Sequence, residues 1–251
     1  LANNINISEY DGFIGIGGDG TLHEIINGML LRKDNIKIPI GIIPGGSGNS
    51  YMHDLNLTNP IQAAEAIIQG KTLAVDTNQI KVNHIIKYAM NMIGWGLVTD
   101  VGNKAEKYRW LGTNRYTILS AIEVFRYKSK HATLVLNDRK IEDEFTFIIA
   151  CNSIHVGKGM KMAPKAKLND GLIDLIVIRS RINSIRLLQV LPMLFNGNHI
   201  NEPEVEYIQT SKFSLIPKTT DILNIDGEIM GTTPIEVEVI PKAIEIFYNK
   251  Y

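Results

Sequence analysis

The sequence predicts a chain of two parts, an α/β domain followed by a mainly antiparallel β-sandwich. Residues 1 to about 74 alternate short apolar strands with amphipathic helices, which is typical of a parallel sheet with helical crossovers. After Asp76 short β-type runs dominate, and their spacing is typical of a sandwich. No flexible linker separates the two patterns. We therefore expect closely packed domains at 1–76 and 77–251, with the C-terminal segment packing back on the first domain.

Two glycine-rich loops follow the first two predicted strands. The apolar run 12–16 precedes Gly-Gly-Asp-Gly-Thr at 17–21, and a helix is predicted next because apolar residues recur at helical spacing over 22–30. The run 38–43 precedes Pro-Gly-Gly-Ser-Gly-Asn at 44–49. In an open parallel sheet both loops lie at the edge where ligands bind.

The first loop has the composition of a phosphoryl-transfer site. Glycines let backbone N–H groups and a helix N-terminus approach an anion closely. Asp19 would repel a phosphate, so its presence favours a general base or a metal ligand. A simpler alternative is a turn followed by a capping box with Thr21 as N-cap and Glu24 at N3. The dinucleotide fingerprint is excluded because the next strand ends in a second glycine loop, not in an acidic residue.

The remaining pattern predicts the other elements. A helix begins at Asn59-Pro60 and ends at Gly70. Strands are predicted at 79–83, 85–93, 132–136, 140–151 and 172–178, with hairpin turns at 137–138 and 226–227. Two further helices are expected at 115–127 and 184–195, the second kinked or stopped early by Pro192.

Composition excludes several classes of protein. The 251 residues carry 26 basic and 26 acidic side chains, so no net field favours nucleic acid as a partner. Apolar runs such as 172–178 are too short to span a bilayer. Cys151 is the single cysteine, which excludes an internal disulfide and favours a reducing, cytoplasmic compartment. The histidines His23, His53 and His155 lack metal-ligand spacing and are interpreted as structural.

Motifs in a fixed order extend the interpretation over nearly the whole chain. The two glycine loops are followed by Gly-Trp-Gly-Leu-Val-Thr-Asp at 94–100, Asp-Gly-Leu-Ile-Asp at 170–174 and Asp-Gly-Glu at 226–228. Together they resemble the catalytic domain shared by diacylglycerol, sphingosine and ceramide kinases, and 94–115 is most similar to the sphingosine/ceramide branch. The resemblance implies an ATP-dependent kinase acting on a lipid hydroxyl, with Mg²⁺ and peripheral contact with a membrane. A homodimer is left open.

The resemblance also implies roles for individual residues. Asp19 would take the proton from the lipid hydroxyl, and Glu228 is a second candidate for base or metal ligand. Asp100 would contact the lipid substrate. The nucleotide would be bound by Gly17, Gly18, Gly20, Thr21, Glu24, Gly46, Ser47, Gly48, Asn49, Arg109, Arg115, Asp226 and Gly227. A structural magnesium site is implied at Asp170 with the Lys167 and Leu172 carbonyls, although a plain turn aspartate explains Asp170 equally well.

Two departures from the family pattern qualify the resemblance. Family members carry an Asn-Pro loop upstream of the diglycine motif, and about 16 residues precede Gly17, so we expect that loop to be missing and the first domain to be truncated. Sphingosine kinases carry an aspartate where this chain has Gly102. The alternatives are an NAD kinase, which shares the diglycine-aspartate loop, and a truncated, non-catalytic domain that binds lipid or nucleotide.

Overall fold

The computed structural model of the chain describes residues 2–249 except 47, 83, 98, 101–126, 138, 158 and 181. Its first part has the predicted order of strand and helix. The elements are β1 (Phe13–Gly17), α1 (Asp19–Leu30), β2 (Ile40–Pro44), α2 (Ser50–Asp54) and α3 (Pro60–Gln69). Strands β1 and β2 pair in parallel, which brings their glycine loops to the same edge of the sheet.

The helix boundaries follow local chemistry, with one difference from the sequence prediction. Helix α3 begins where Asn59 accepts hydrogen bonds from two N–H groups of its first turn, and it ends at Gly70 in the left-handed conformation, as predicted. Helix α1 begins earlier than a capping box at Thr21 requires. Its N-cap is Gly18, so the capping-box interpretation of Thr21 and Glu24 is wrong.

The second part is built of antiparallel strands. They are β3 (Thr72–Val82), β4 (Ile85–Ala89), β5 (Met92–Gly96), β6 (Lys130–Leu136), β7 (Lys140–Cys151), β8 (His155–Val156), β9 (Met160–Lys161), β10 (Ile173–Arg179), β11 (Val205–Thr210), β12 (Lys212–Pro217), β13 (Ile222–Ile225), β14 (Glu228–Thr232) and β15 (Ile235–Phe247). The fold class, an α/β part followed by a mainly antiparallel β-sandwich, is confirmed. The predicted run 85–93 is in fact two strands, β4 and β5.

Strand β7 explains how the sandwich is filled on both sides. From Phe147 onward its buried residues alternate between two apolar clusters, with Ile148 and Ala150 in one and Phe147 and Ile149 in the other. Successive side chains of a strand point to opposite faces, so a strand buried on both faces has a continuous apolar sequence. This accounts for the apolar second half of the predicted strand 140–151.

Strand β15 joins the two parts. Its residues 235–238 pair antiparallel with β12, it pairs antiparallel with β3 along most of its length, and near its end Ile246 pairs in parallel with Ile40 of β2. Ile244 and Ile246 then complete the apolar cluster beneath α1 and β2. Strand β3 crosses residues 76 and 77, so the proposed division between the domains lies inside a strand; that division stays a prediction.

Two further expectations concern turns and helices. The 226–227 hairpin turn is confirmed, because Asp226 and Gly227 both have positive φ, at 52° and 93°, between the paired strands β13 and β14. Helix α4 (Ser184–Val190) gives way to a 3₁₀ helix at Leu191–Phe195 that contains Pro192, so the early stop is confirmed. The predicted helix at 115–127 lies almost wholly outside the described residues. Among the described helices none is long and apolar enough to cross a membrane.

Candidate active site

The two glycine loops touch through their backbones. The Gly45 N–H donates to the carbonyl of Gly17, the last residue of β1, over 2.8 Å, which continues the β1–β2 pairing one residue past the end of β2. A Cβ atom on Gly46 would lie 2.5 Å from the Gly18 Cα, and one on Gly18 would lie 3.0 Å from the Gly46 Cα. Side chains are therefore excluded at this contact, and backbone amides line the end of the sheet.

Asp19 is held by the next helix. Its Oδ2 accepts from the Ser50 N–H over 2.8 Å and its Oδ1 from the Tyr51 N–H over 3.1 Å, so the carboxylate caps the N-terminus of α2. Gly48 lies beside it, since a Cβ there would be 3.2 Å from Asp19 Oδ2. The carboxylate is half-buried and its direction is fixed by two bonds.

Asn49 closes the second glycine loop onto itself. Its Oδ1 accepts from the Gly46 N–H over 3.2 Å and its Nδ2 donates to the Gly46 carbonyl over 3.0 Å. Asn49 itself adopts a left-handed conformation with φ 48°, which asparagine tolerates. Asn49 therefore shapes the loop, and it already occupies the amide of Gly46.

Helix α2 connects the glycine loops to residues 154–157 of the sandwich. Ser50 Oγ donates to the Gly157 carbonyl over 2.8 Å. At the other end of the helix, Asp54 accepts from the Ile154 N–H over 2.9 Å and lies 3.2 Å from His155 Nδ1. Both ends of α2 are thus bonded to the 154–157 segment, which lies next to the glycine loops.

The β13–β14 turn brings a second carboxylate to α1. Glu228 is exposed, and its Oε1 would be 3.5 Å from a Cβ on Gly20, in the first turn of α1. Asp19 and Glu228 therefore both lie at the N-terminus of this helix. The exposed Glu24 and the half-buried Thr21 are on the same turn, with the Thr21 hydroxyl against Gly17.

Asp226 faces the interior, although the resemblance placed it at the nucleotide. Its side chain is 1% exposed and accepts from three consecutive amides, Met90 at 3.0 Å and Asn91 and Met92 at 2.9 Å each. His23 Nδ1 lies 2.8 Å from its Oδ2. Both carboxylate oxygens are occupied by these partners, so the side chain holds the turn in place.

His23 has a structural role, as expected from the sequence, but its partner lies 203 residues away in the chain. Burial lowers the pKa of His23, but the hydrogen bond and charge of Asp226, together with the charges of Glu228 and Glu24, raise it above its ordinary 6.5. Asp19 and His23 are four residues apart, which places them on one face of α1. That spacing was the one available signal.

The magnesium site implied by the resemblance would lie in the loop that contains Asp170. Asp170 is exposed, and its Oδ1 accepts from the Leu172 N–H over 3.1 Å, as in an ordinary Asx turn. The fully buried Asp76 accepts hydrogen bonds from the Gly171 N–H of this loop and from the Lys242 N–H of β15, each over 2.7 Å. It therefore attaches the loop to β15. Within the described part of the chain no three His, Cys, Asp or Glu side chains are arranged to hold a metal.

Asp100 belongs to a charged cluster with Lys130 and Asp221. Its Oδ2 lies 3.7 Å from Lys130 Nζ, which is also 3.0 Å from Asp221 Oδ2. The Trp95 indole N–H donates to the same Asp221 oxygen over 3.1 Å. The other predicted site residues Ser47, Arg109 and Arg115 lie outside the described residues.

Comparison with known proteins agrees with this architecture. Residues 1–80 match the diacylglycerol kinase catalytic domain, and residues 91–248 match the YegS C-terminal NAD kinase beta sandwich-like domain. A "Putative lipid kinase" of Staphylococcus carnosus (strain TM300) is 30% identical over 99% of this chain and 80% of its own length. Sphingosine kinase 1 of Arabidopsis thaliana is 28% identical over 92% of this chain. The chain spans only 59% of the length of that plant protein.

Solved structures show the same fold. A crystal structure of a "putative diacylglycerol kinase" from Bacillus anthracis str. Sterne matches with a TM-score of 0.78 at 23% identity, covering 96% of this chain and 79% of that one. An NAD kinase from Archaeoglobus fulgidus in complex with ATP is more distant, with a TM-score of 0.50 at 14% identity over the same shares of each chain. From its sequence and its two matched domains, this chain belongs to the lipid kinase family in which a diacylglycerol kinase catalytic domain is followed by a YegS-type β-sandwich.

Proposed function

We propose that this protein transfers the γ-phosphoryl group of ATP to a hydroxyl group of a membrane lipid. The observation that carries the proposal is the backbone contact between the two glycine loops, with the Asp19 and Glu228 carboxylates at the N-terminus of α1 beside it. Amides and a helix N-terminus bind phosphate, whereas a carboxylate at the same place suits removal of a proton.

The chemistry follows from these positions. An alcohol is a poor nucleophile at neutral pH, so its proton is passed to the Asp19 carboxylate as the lipid oxygen bonds to the γ-phosphorus. The bond between that phosphorus and the bridging oxygen breaks, and ADP leaves with its electron pair. The hydrogen bonds from Ser50 and Tyr51 fix the direction of the Asp19 carboxylate, and the reacting oxygen is proposed to lie against it.

The other residues are proposed either to contact ATP or to hold a contacting residue in place. Glu228 is proposed as a second acidic group at the reacting end of ATP, and Asp226 and Gly227 form the turn that carries it. Arg109 and Arg115 are proposed to bind phosphate because a guanidinium offers two parallel donors. Proposed contacts to the nucleotide are Gly17, Gly18, Gly20, Thr21, Glu24, Gly46, Ser47, Gly48 and Asn49.

A structural Mg²⁺ is proposed at the 167–172 loop. One exposed carboxylate, Asp170, with the carbonyls of Lys167 and Leu172 would supply hard oxygen ligands, and Mg²⁺ commonly keeps several waters beside so few protein ligands. When bound there, the ion would supply charge that stabilises the loop. Asp76 also holds this loop, because its carboxylate accepts a hydrogen bond from the Gly171 N–H.

We further propose a neutral lipid, ceramide or diacylglycerol, as the substrate, and peripheral contact with the membrane that contains it. A sphingoid ammonium removed from water needs an anion beside it. Gly102 supplies none, and Asp100 already lies 3.7 Å from the Lys130 ammonium. The Arabidopsis relatives are named sphingosine kinases, so the test must include sphingosine.

A single assay separates the proposal from its alternatives. The purified chain is incubated with radiolabelled ATP, Mg²⁺ and vesicles that contain ceramide, diacylglycerol or sphingosine, with NAD in a parallel reaction, and the products are separated by thin-layer chromatography. A labelled lipid supports the proposal, and labelled NADP alone indicates the NAD kinase alternative. Binding of ATP by calorimetry without any labelled product indicates a non-catalytic domain.

A further inference from the structure

Three side chains on one face of α1 bond to three separate parts of the chain. Asp19 caps α2, His23 binds Asp226 of the β13–β14 turn, and Asn27 binds β4. The Asn27 contact is double, because its Nδ2 donates to the Tyr88 carbonyl and its Oδ1 accepts from the Tyr88 N–H, both over 2.9 Å. This face of α1 therefore attaches the glycine-loop region to the sandwich.

Of these contacts, the one made by His23 is to the turn that carries Glu228. Asp226 is two residues before Glu228, across a tight turn, so the direction of the Glu228 side chain depends on where that turn sits. The turn is held from the sandwich by the amides of Met90, Asn91 and Met92. His23 holds it from the side of α1, through a nitrogen that is 2.8 Å from Asp226 Oδ2 with both side chains at least 94% buried.

We propose that the His23–Asp226 pair is a positioning device that seats the β13–β14 turn on α1 and thereby places the Glu228 carboxylate next to Asp19. The inference rests on the proposed function in that Glu228 is taken to act on ATP or its metal. His23 and Asp226 touch neither substrate; they act through Glu228. The pair also couples the two parts of the chain, because one member lies in each.

The kinetic test is a double-mutant cycle. His23→Leu is expected to lower kcat by about 10²-fold, since displacement of a reacting group by about 1 Å has an effect of that size. In a Glu228→Gln background the same change should lower kcat by less than about threefold, because no carboxylate remains to be misplaced. Asn59→Ala is the control: it removes the N-cap of α3, which makes no contact with His23, and its effect should be equal in both backgrounds.

A second measurement keeps the inference independent of activity. The amides of Asp226 and Gly227 are hydrogen-bonded to the Met92 carbonyl and to Asn224 Oδ1, each over 2.9 Å, so their hydrogen exchange reports the seating of the turn. Exchange should be faster in His23→Leu and close to wild type in His23→Asn, whose amide nitrogen replaces Nδ1. His23→Asn should also recover kcat to within about tenfold of wild type.

The outcomes are distinguishable from failure of the proposed function. If the wild type phosphorylates no lipid, the proposed function is wrong, and the exchange data alone decide whether His23 seats the turn. Equal loss of kcat from His23→Leu in the two backgrounds would overturn the positioning role. Unchanged exchange at Asp226 and Gly227 in a folded His23→Leu protein would overturn it as well.

Discussion

The carboxylate of Asp19 caps helix α2, with its Oδ2 2.8 Å from the Ser50 nitrogen. The proposed base is therefore also a structural residue. The sequence alone suggests that Asp19→Asn would leave stability almost unchanged. The structure predicts otherwise, because an amide has one acceptor oxygen where the carboxylate uses two, and its NH₂ group would face a backbone N–H.

Asp19→Asn should lower turnover by about 10²-fold or more if Asp19 is the base. It should also lower the free energy of unfolding by about 1 kcal/mol, as loss of a helix cap usually does. Turnover is measured by labelled-lipid formation and stability by urea unfolding.

A matched control separates the two effects of that change. Asp54→Asn weakens the opposite end of α2, where Asp54 accepts from the Ile154 N–H, without touching the glycine loops. It should reduce stability to a similar extent but leave turnover within about threefold of wild type. If both variants lose turnover equally, Asp19 supports α2 and is not the base.

The contact between Gly18 and Gly46 predicts a sharp difference between neighbouring glycines. Gly46→Ala would place a Cβ 2.5 Å from the Gly18 Cα and force the loops apart, whereas a Cβ on Gly45 meets nothing closer than 3.8 Å. Gly46→Ala should weaken ATP binding by at least about tenfold, since backbone amides lose their alignment. Gly45→Ala should bind ATP as the wild type does.

Isothermal calorimetry with ATP compares the two alanine variants. Circular dichroism checks that both are folded, since a loss of ATP binding through unfolding would say nothing about the loops. If Gly46→Ala binds ATP as tightly as Gly45→Ala and the wild type do, the close approach of Gly18 and Gly46 is not needed to bind the nucleotide.

Two buried histidines predict opposite dependences of stability on pH. The pKa of His23 is raised because Asp226, Glu228 and Glu24 outweigh the effect of burial, so the folded state binds more protons. Its contribution is fully present below about pH 6.5 and is lost as the pH rises through its raised folded-state pKa. Burial lowers the pKa of His199, so its contribution is present above about pH 6.5 and lost as the pH falls.

Thermal unfolding across about pH 5 to 9 tests this prediction. His23→Asn replaces Nδ1 with an uncharged donor, so the excess stability of the wild type over this variant should shrink as the pH rises. His199→Gln replaces the Nε2 that lies 3.0 Å from the Met162 carbonyl, and here the excess should shrink as the pH falls. Two parallel pH profiles would contradict the assignment.

Local features of the structure were predictable from the sequence, whereas contacts between distant segments were not. The glycine loops, α3 and the turn at 226–227 follow from residues a few positions apart, whose conformational preferences are local. The bonds of Asp76 to Lys242 and of His23 to Asp226 join segments 166 and 203 residues apart, and periodicity carries no information about such pairing.

The capping box failed for a related reason. The spacing of Thr21 and Glu24 fits that motif, but the carboxylate of Asp19 bonds to the start of α2 and α1 begins at Asp19 itself. The residue that begins α1 thus makes a tertiary contact, which the local spacing of Thr21 and Glu24 does not indicate.

The charged cluster around Lys130 leads to a prediction about the lipid headgroup. Lys130 Nζ is 3.7 Å from Asp100 and 3.0 Å from Asp221, so it compensates part of the negative charge of the proposed substrate-binding aspartate. A sphingoid ammonium near Asp100 would meet this like charge. Lys130→Met keeps most of the apolar stem but removes the ammonium, so it should make the site more favourable to an amine.

We expect Lys130→Met to raise the ratio of kcat/KM for sphingosine to that for ceramide by about tenfold, an effect equivalent to about 1.4 kcal/mol between two partly screened charges. Lys128→Met removes an exposed lysine two residues earlier and should leave the ratio unchanged. Gly102→Asp adds a carboxylate near Asp100 in the sequence and should move the ratio in the same direction as Lys130→Met.

The ratio is measured with both lipids in the same mixed vesicles, so that membrane binding is common to the two substrates. A wild-type enzyme that turns over sphingosine while ceramide and diacylglycerol remain inert would contradict the preference for a neutral headgroup. An unchanged ratio in Lys130→Met would show that Lys130 does not influence the preference between sphingosine and ceramide.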